Sequence, residues 1–506
     1  MGSTRRSFLK GVGGAAALGL IGNATDSNAE YGLFNGTQHK VLEIFMLGGF
    51  SYRDTLWIDY DSPTPPDYCL PIGTPQWGDC RWGDGATDAW KQVDWSTVDA
   101  SVRPNGLVPV TIGGRPFGPV LNALVNGGGT SRSSLLPKTR VIAMKHEWRA
   151  LQPHEAAVPY ALTGVRLGRA NFAGMASAFI ARSPAALGTA FIFHSGFGSG
   201  VSSIYADFAA ATGYFGAGNK PPVIDFSDDT FAFRLDDATY RNNVRGALDN
   251  YYTSLYENKL AGNRSAAFAG YRSGFDHVQS AAALETILSS AAGFSDSASS
   301  GPLRTRKMIR TAASLLKNTS GTTQYVGILE GGARGPMDTH GSTSWGSHAT
   351  HHALNLWWVL AAINESFTPA ELQTTVIVIH TEFGRMITHE RSSHNPYGYA
   401  GLVIGGPTVA GAVGAIGATE VASNAISPLD LRCALYLAAQ IEPFDTPIGN
   451  PIFGFKDPLF LNAYQRTDNG LNELGLTQEQ LNGQGSDATL KTAIRQGLAN
   501  TIFGSV

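Results

Sequence analysis

Short apolar runs that alternate with longer helical patterns are the feature that most constrains the fold of this 506-residue chain. Such alternation is typical of a mainly parallel sheet that helices cover on both faces. The clearest predicted strands are residues 41–47, 140–145, 190–194, 325–329, 375–380 and 401–404. The clearest predicted helices are residues 239–260, 275–288, 304–316, 348–363 and 428–439. The sequence therefore predicts an α/β fold with a large, mainly parallel sheet.

The chain after residue 29 is long enough for one large domain or for two. No repeat and no change of composition marks a boundary, so we expect a single domain over residues 30–506. Two segments are expected to be insertions into it. Residues 63–119 are rich in Pro, Gly, Asp and Trp, and residues 236–319 are a helical stretch that we interpret as a cap or a lateral layer.

The first 29 residues have the pattern of a twin-arginine export signal. Arg5 and Arg6 precede a Gly- and Ala-rich apolar stretch over residues 11–21, and the small residues that end at Ala29 suit signal peptidase. A membrane anchor is the alternative, but the apolar stretch is short for a membrane span. We therefore expect contact with the twin-arginine translocase, cleavage after Ala29, and a periplasmic or extracellular mature protein.

The charge of the mature chain argues against nucleic acid as a partner. The leader carries three basic residues and one acidic residue, so its removal lowers the formal charge from −3 to −5. No basic run is long enough to suggest a nucleic-acid surface. No later apolar stretch reaches the length of a transmembrane helix, so no stable membrane span is expected in the mature form.

Three cysteines are present, and an oxidising compartment would allow two of them to pair. We expect a disulfide between Cys69 and Cys80, which would close the Pro-containing loop between them. Cys433 is expected to be buried on a helix. No catalytic motif surrounds any of the three.

Seven of the twelve histidines fall between His340 and His394, and carboxylates stand among them. Asp338 and His340 follow one predicted strand, Glu382 follows another, and His394 lies in a polar loop. Functional groups in open α/β sheets gather beyond the carboxyl ends of strands. Imidazole and carboxylate together suit Zn²⁺ or Mn²⁺, so the cluster indicates a metal site. The alternatives are a hydrogen-bonded Asp-x-His loop pair and a solvated glutamate at a strand end.

Two further strand ends carry candidate groups. The first strand runs into Gly48-Gly49, and Ser51, Asp54 and Thr55 follow in the same loop. His154 comes after the strand at residues 140–145 and is a candidate ligand or proton-transfer group. The paired glycines would let a ligand approach the backbone closely. His348, His351 and His352 would share one face of a helix and could form a second metal grip. Packing residues continue that helix, so we interpret them instead as helix-surface or supporting histidines.

Several motifs occur in an order that resembles the bacterial family called domain of unknown function 1501. After the twin-arginine leader they are the segments at residues 48–55, 154–155, 338–341, 381–385, 405–411 and 416–419. They span most of the mature chain, and Asp-Thr-His-Gly with Glu-Phe-Gly-Arg is the most specific part. That family is similar to the alkaline phosphatase and sulfatase superfamily.

The resemblance implies a fold, a cofactor and a ligand set. The implied fold is an alkaline-phosphatase-like three-layer sandwich, and the implied cofactor is one or two divalent metal ions, such as Zn, Mn or Ca. The implied metal ligands are Asp54, Asp338, His340, Glu382 and His394. In this chain Gly48-Gly49 stands where the superfamily has an acidic residue directly after the first strand, and Asp54 follows later.

Two functions from different classes remain open on the sequence. The first is an exported hydrolase of small anionic phosphate or sulfate esters, with Arg385 on the anionic oxygens and His154 in proton transfer. Ser51 and Thr55 are the nearest candidate nucleophiles, although small polar residues in glycine loops are usually structural. The second is a phosphatase-like exported binding or assembly protein without catalysis, with residues 63–119 as an interaction surface.

Overall fold

The computed structural model describes the central sheet, the helices that cover it and the loops at one sheet edge. The described residues are 33–49, 51–52, 55–56, 58, 110–126, 133–146, 153–164, 174–183, 186–195, 205, 209–210, 219–226, 246–247, 250, 280–338, 345–385, 394–417, 420–443 and 488–504. Among the helices in these ranges, none has the length and apolar character needed to cross a membrane.

Fourteen strands are described, and eight of them form one sheet. In chain order they are β1 (Lys40–Met46), β2 (Val110–Ile112), β3 (Arg115–Phe117), β4 (Thr139–Met144), β5 (Ala190–His194), β6 (Val223–Asp225), β7 (Tyr325–Glu330), β8 (Thr375–His380), β9 (Gly384–Arg385), β10 (His394–Asn395), β11 (Tyr399–Gly405), β12 (Gly411–Val413), β13 (Ala415–Ile416) and β14 (Ala422–Ser423). The sheet order is β12-β4-β11-β8-β1-β7-β5-β6, and β2–β3, β9–β10 and β13–β14 form separate two-stranded pairs.

The large sheet is mainly parallel, as the sequence predicts. β1 pairs in parallel with both β7 and β8, and the β5–β7, β5–β6 and β4–β12 pairs are also parallel. Only β11 among the eight runs the other way, since it pairs antiparallel with both β4 and β8. The amino end of β11 therefore lies at the same sheet edge as the carboxyl ends of its neighbours.

Helices cover both faces and give the three-layer arrangement. They are α1 (Ala123–Asn126), α2 (His154–Thr163), α3 (Met175–Arg182), α4 (Ala281–Ser289), α5 (Gly301–Lys317), α6 (Trp345–Ser366), α7 (Pro428–Ala438) and α8 (Ala488–Phe503). Residues of α1, α4, α5 and α6 share one apolar core with one face of the sheet, and residues of α2, α3, α7 and α8 share another with the opposite face. Alternate residues of β1 divide between these cores, because successive side chains of a strand point to opposite faces.

All six predicted strands are present, two of them with the predicted bounds and four with ends shifted by one or two residues. β8 has the predicted bounds, and β11 begins earlier than predicted because Tyr399 and Ala400 continue the pairing with β4. The helices predicted at residues 304–316, 348–363 and 428–439 correspond to α5, α6 and α7. Cys433 is buried in α7, as predicted.

Some predictions concern residues outside the described ranges. The export signal, Cys69, Cys80 and most of residues 63–119 and 239–260 lie there. Of the two predicted insertions, the described parts include the β2–β3 hairpin and the helices α4 and α5.

A buried network of charged and polar side chains ties three central strands to α7. Arg432 donates hydrogen bonds to both carboxylate oxygens of Glu43, with Nη1 2.6 Å from Oε2. The Tyr325 hydroxyl donates to Oε2 at 2.7 Å, and Nε2 of His380 lies 2.7 Å from Oε1. Burial opposes the charge on Glu43, but Arg432 and His380 outweigh it and hold the pKa of Glu43 well below its usual range. The network thus joins the middle of β1, the first residue of β7 and the last residue of β8 to α7.

Candidate metal centre

Four segments meet at the carboxyl edge of the sheet. β4 leads into α2, which begins at His154, and β7 leads to Asp338. β8 leads directly into Thr381 and Glu382, while His394 in β10 precedes the amino end of β11. Because β11 is antiparallel to its neighbours, its amino end joins the carboxyl ends of β4 and β8. The topology therefore brings together side chains that are far apart in the chain.

His154, Asp338 and His394 form a compact set of possible metal ligands. One ligand atom from each of the three lies within 4.8 Å of the others. Nε2 of His154 is 3.2 Å from Oδ1 of Asp338, and the ring centroids of the two histidines are 4.6 Å apart. The side chain of His154 is 16% exposed and that of Asp338 is 42% exposed. The set is thus partly open to solvent on the side of Asp338.

Glu382 lies on the opposite side of the His154 ring from Asp338. Its Oε1 is 2.7 Å from Nδ1 of His154 and accepts a hydrogen bond from the Gly48 N–H at 2.9 Å. Its Oε2 accepts a hydrogen bond from the Thr381 hydroxyl at 2.8 Å. Glu382 is fully buried. A carboxylate in this position fixes the imidazole orientation and leaves Nε2 as the nitrogen that faces the other ligands.

The charges around His154 favour a cation at this position. Burial opposes a protonated ring, but the hydrogen bonds and charges of Asp338 and Glu382 outweigh burial and raise the pKa of His154 to about 9. Burial also opposes the charge on Asp338, yet His154 and Arg385 hold the pKa of Asp338 well below its usual range. Two carboxylates therefore remain ionised on either side of one imidazole.

Arg385 is fully buried and connects Asp338 to the glycine turn after β1. Its Nη2 donates to Oδ1 of Asp338 at 2.6 Å and to the carbonyl oxygen of Gly48, and its Nε donates to the carbonyl oxygen of Gly49 at 3.3 Å. Gly48 has φ +113°, and a Cβ on it would lie 2.5 Å from the backbone nitrogen of Asp338. Gly48 thus admits the backbone of Asp338.

Phe383 packs against both histidines of the cluster. Its ring stacks on His394 with centroids 4.1 Å apart and an interplanar angle of 24°. Its centroid is 4.8 Å from that of His154. A Cβ on Gly49 would lie 2.7 Å from the Phe383 ring. The second glycine is therefore required for this ring to occupy its place.

The structure holds Ser51 and Thr55 in the turn after β1, where both are fully buried. The Ser51 N–H donates to Nδ1 of His352 at 3.1 Å, and the Thr55 hydroxyl donates to the Ser51 carbonyl oxygen at 2.6 Å. These contacts stabilise the turn. Asp54 and His340 lie outside the described residues, so their ligand roles remain predictions.

Of the predicted site residues, His154, Asp338, Glu382, Arg385 and His394 lie together. Sequence reasoning missed the participation of His146, whose Nε2–H donates to the carbonyl oxygen of Glu382 at 3.2 Å. The signal for it was its position two residues beyond the end of β4. It also missed the buried contact between Glu43 and His380, although a glutamate inside an apolar strand was a signal.

The donor set fits a divalent metal ion. Two imidazoles and one carboxylate are ligands that Zn²⁺ and Mn²⁺ accept, and Glu382 supplies the orienting carboxylate that ligating histidines usually have. The three ligand atoms lie close enough to contact one ion, since they are all within 4.8 Å of one another.

Comparisons with known proteins give no relative. No family model, no curated protein and no solved structure matches the chain.

Proposed function

We propose that this protein is an exported, metal-dependent hydrolase of phosphate or sulfate esters. The observation that carries the proposal is the set His154, Asp338 and His394, with ligand atoms within 4.8 Å of one another at the carboxyl edge of the sheet. This edge is where open α/β sheets gather functional groups. The motif resemblance to the alkaline phosphatase and sulfatase superfamily supports the ester substrate class.

In this proposal the described residues have distinct tasks. His154, Asp338 and His394 hold the ion, and Glu382 orients the ring of His154 through the 2.7 Å contact to Nδ1. A bound divalent ion would act as a Lewis acid towards an ester oxygen and towards water. Asp54 and His340, from the motif resemblance, would complete the coordination of one or two ions such as Zn, Mn or Ca.

Water is the nucleophile that we favour. Ser51 and Thr55 are fully buried, and the Thr55 hydroxyl already donates to a backbone carbonyl group. A buried hydroxyl cannot reach an ester that approaches from the exposed side of Asp338. Both nitrogens of His154 face carboxylates, so we assign it as a ligand rather than as a proton carrier.

Arg385 is assigned to the support of Asp338. Its guanidinium group is buried and donates to Asp338 and to two backbone carbonyl oxygens. It stabilises the ionised carboxylate and the turn at Gly48-Gly49 together. Because the guanidinium group is fully buried, we do not assign it the direct contact with an anionic ester oxygen that the sequence suggested.

Export by the twin-arginine route belongs to the same proposal. That route carries folded proteins, so the metal can be loaded in the cytoplasm. Loading there avoids competition from periplasmic Cu²⁺, which binds such sites more tightly. The mature enzyme would then act on esters in the periplasm or outside the cell.

The second candidate is an exported binding or assembly protein that keeps the metal but does not hydrolyse esters. The burial of Ser51, Thr55 and Arg385 favours it, because none of these three side chains faces solvent. Residues 63–119 would supply its interaction surface.

Ester turnover separates the two candidates. The purified protein is incubated with phosphate and sulfate monoesters and diesters in the presence of Zn²⁺, Mn²⁺ or Ca²⁺. We expect turnover of at least one ester class and a loss of about 100-fold or more in Asp338→Ala, since metal chemistry supplies several kcal/mol of the catalysis.

Asp225→Ala is the matched control, because Asp225 is also a partly exposed carboxylate at the end of a strand of the same sheet. This variant should retain the activity of the parent. A folded, metal-loaded parent without any turnover would favour the binding protein. If Asp338→Ala retains ester turnover, the assignment of His154, Asp338 and His394 as the catalytic metal ligands is wrong.

A further inference from the structure

Two consecutive residues after β8 each contact one histidine of the candidate centre. Glu382 contacts Nδ1 of His154, and the Phe383 ring stacks on the ring of His394. The function of a carboxylate beside a ligating histidine is well understood. The aromatic ring has no such established function, yet it packs against both histidine rings.

The position of Phe383 is determined from two sides. The ring is fully buried and packs with Ala157 and Tyr160 of α2 in a small apolar cluster, separate from the two cores that flank the sheet. On another side it approaches Gly49 so closely that a Cβ there would lie 2.7 Å away. A ring that is enclosed in this way stacks its face on His394 at 4.1 Å and lies against His154 at 4.8 Å, with an interplanar angle of 54°.

The imidazole plane needs such a surface. The torsion that rotates a histidine ring is broad and has no sharp minimum of its own, so neighbouring groups set the plane. Metal affinity depends on the direction of the nitrogen lone pair, which lies in that plane. A ring that rotates freely in the apo protein must lose this freedom when an ion binds, and that loss lowers the affinity.

We propose that Phe383 is a positioning residue of the metal centre, which holds the rings of His154 and His394 in the planes that direct one nitrogen of each towards Asp338. The proposal rests on the metal site of the proposed function. It predicts that the flat shape of the side chain matters, and not only its apolar volume. It applies to metal binding whether or not the bound metal catalyses ester hydrolysis.

Co²⁺ is the probe, because its visible spectrum reports the coordination geometry. Chelator-stripped parent, Phe383→Leu and Phe383→Tyr are titrated with Co²⁺, and the affinities are measured by competition with a chromophoric chelator. We expect Phe383→Leu to bind Co²⁺ about 10-fold or more weakly, in the range typical of groups that orient metal ligands, and with an altered spectrum. Phe383→Tyr retains the flat ring and should retain the parent spectrum.

Phe193→Leu is the control for lost packing. Phe193 is a fully buried ring in β5 that packs against Phe191 and Phe226 rather than against the histidines. Urea unfolding should show that both leucine variants lose stability, while only Phe383→Leu loses Co²⁺ affinity. If Phe383→Leu does not fold, Phe383→Met replaces it with the same expected loss of affinity.

Failure of the positioning role of Phe383 and failure of the metal site give different results. A folded Phe383→Leu with parent affinity and parent spectrum overturns the positioning role and leaves the metal site intact. Equal loss of affinity in Phe193→Leu also overturns it, because general destabilisation then explains the effect. A parent that binds no Co²⁺ overturns the metal site itself, and the positioning role with it.

Discussion

Nδ1 of His154 lies 2.7 Å from Oε1 of Glu382, and this contact joins two residues that are 228 positions apart in the chain. It connects the first turn of α2 to the loop that follows β8. Because Nδ1 is engaged, Nε2 is the nitrogen that faces Asp338 at 3.2 Å. Glu382 therefore acts on the candidate centre through His154.

Removal of the charge on Glu382 tests this relationship. In Glu382→Gln the amide oxygen can replace Oε1 and accept from His154 and Gly48, but the amide NH2 then faces the Thr381 hydroxyl, which donates to Oε2 in the parent. We expect Zn²⁺ or Mn²⁺ affinity to fall by about 10–100-fold, as for other carboxylates that orient metal-binding histidines. Calorimetric titration of the chelator-stripped proteins measures this.

Glu155→Gln is the control for that variant. Glu155 is next to His154 in α2, but its side chain is exposed, so the removed charge is screened by solvent. An equal loss of affinity in both variants would mean that net charge, and not the contact to Nδ1, controls metal binding.

The turn after β1 gives a prediction about Gly48. A Cβ at this position would lie 2.5 Å from the backbone nitrogen of Asp338, and φ is +113°. We expect Gly48→Ala to displace Asp338, to weaken metal binding and to destabilise the fold by more than the roughly 1–2 kcal/mol of the backbone penalty alone. Urea unfolding and metal titration check both effects.

Gly114 provides the matched comparison. It also has a positive φ, +82°, but a Cβ there would meet no atom within 4 Å. Gly114→Ala should show the backbone penalty and leave metal affinity unchanged. If the two variants lose equal stability and both bind metal normally, the close approach of Asp338 to Gly48 has no consequence.

The buried network around Glu43 predicts strong coupling. Arg432 and Glu43 are both buried, so removal of either leaves the other charge without its partner in the interior. We expect Glu43→Leu and Arg432→Met each to lower the free energy of unfolding by about 3–5 kcal/mol. The double variant should lose much less than the two losses together, as urea unfolding can measure. Additive losses would contradict the coupling.

Asp430 predicts a pH dependence of stability. It caps α7 through Ser427, and burial outweighs these hydrogen bonds and raises the pKa of Asp430 to about 7. The pKa of Asp430 is higher in the folded state than in the unfolded state. Its contribution to the free energy of unfolding is therefore fully present below the unfolded-state pKa, near 4, and is lost as pH rises through about 7. Between about pH 5.5 and pH 8 the free energy of unfolding should fall by about 2 kcal/mol from this group.

Asp430→Asn isolates the contribution of that carboxyl group. The amide oxygen still accepts the Ser427 N–H bond, but it does not ionise. The variant should lack the fall of about 2 kcal/mol, so its stability relative to the parent rises with pH. Urea unfolding of both proteins at the two pH values decides the matter. Parallel pH profiles would show that Asp430 ionises normally despite its burial.

The sequence predicted the sheet and the sheet edge better than the contacts at that edge. Apolar runs such as Thr375–His380 determine strands locally, and the carboxyl-end rule then places Asp338 and Glu382 near each other. His394 was harder to place, because its position depends on the antiparallel direction of β11, and alternation of strands and helices does not reveal direction.

The role of Glu382 in orienting the His154 ring could not be derived from the sequence. It depends on which atoms face its two oxygens, and the turn at Gly48 and the start of α2 determine this. The contacts of Phe383 depend in the same way on Gly49 and α2, which are distant in the chain. Tertiary packing, rather than any local pattern, sets these relationships.

Metal content is the most direct test of the central claim that His154, Asp338 and His394 form a metal centre. The mature protein is isolated from its native compartment without chelator or added metal, and elemental analysis gives the equivalents of Zn, Mn and Ca. We predict one or two equivalents, which Asp338→Ala and His394→Ala lose and Asp225→Ala retains. A well-folded parent that carries no metal and takes up none on titration would contradict it.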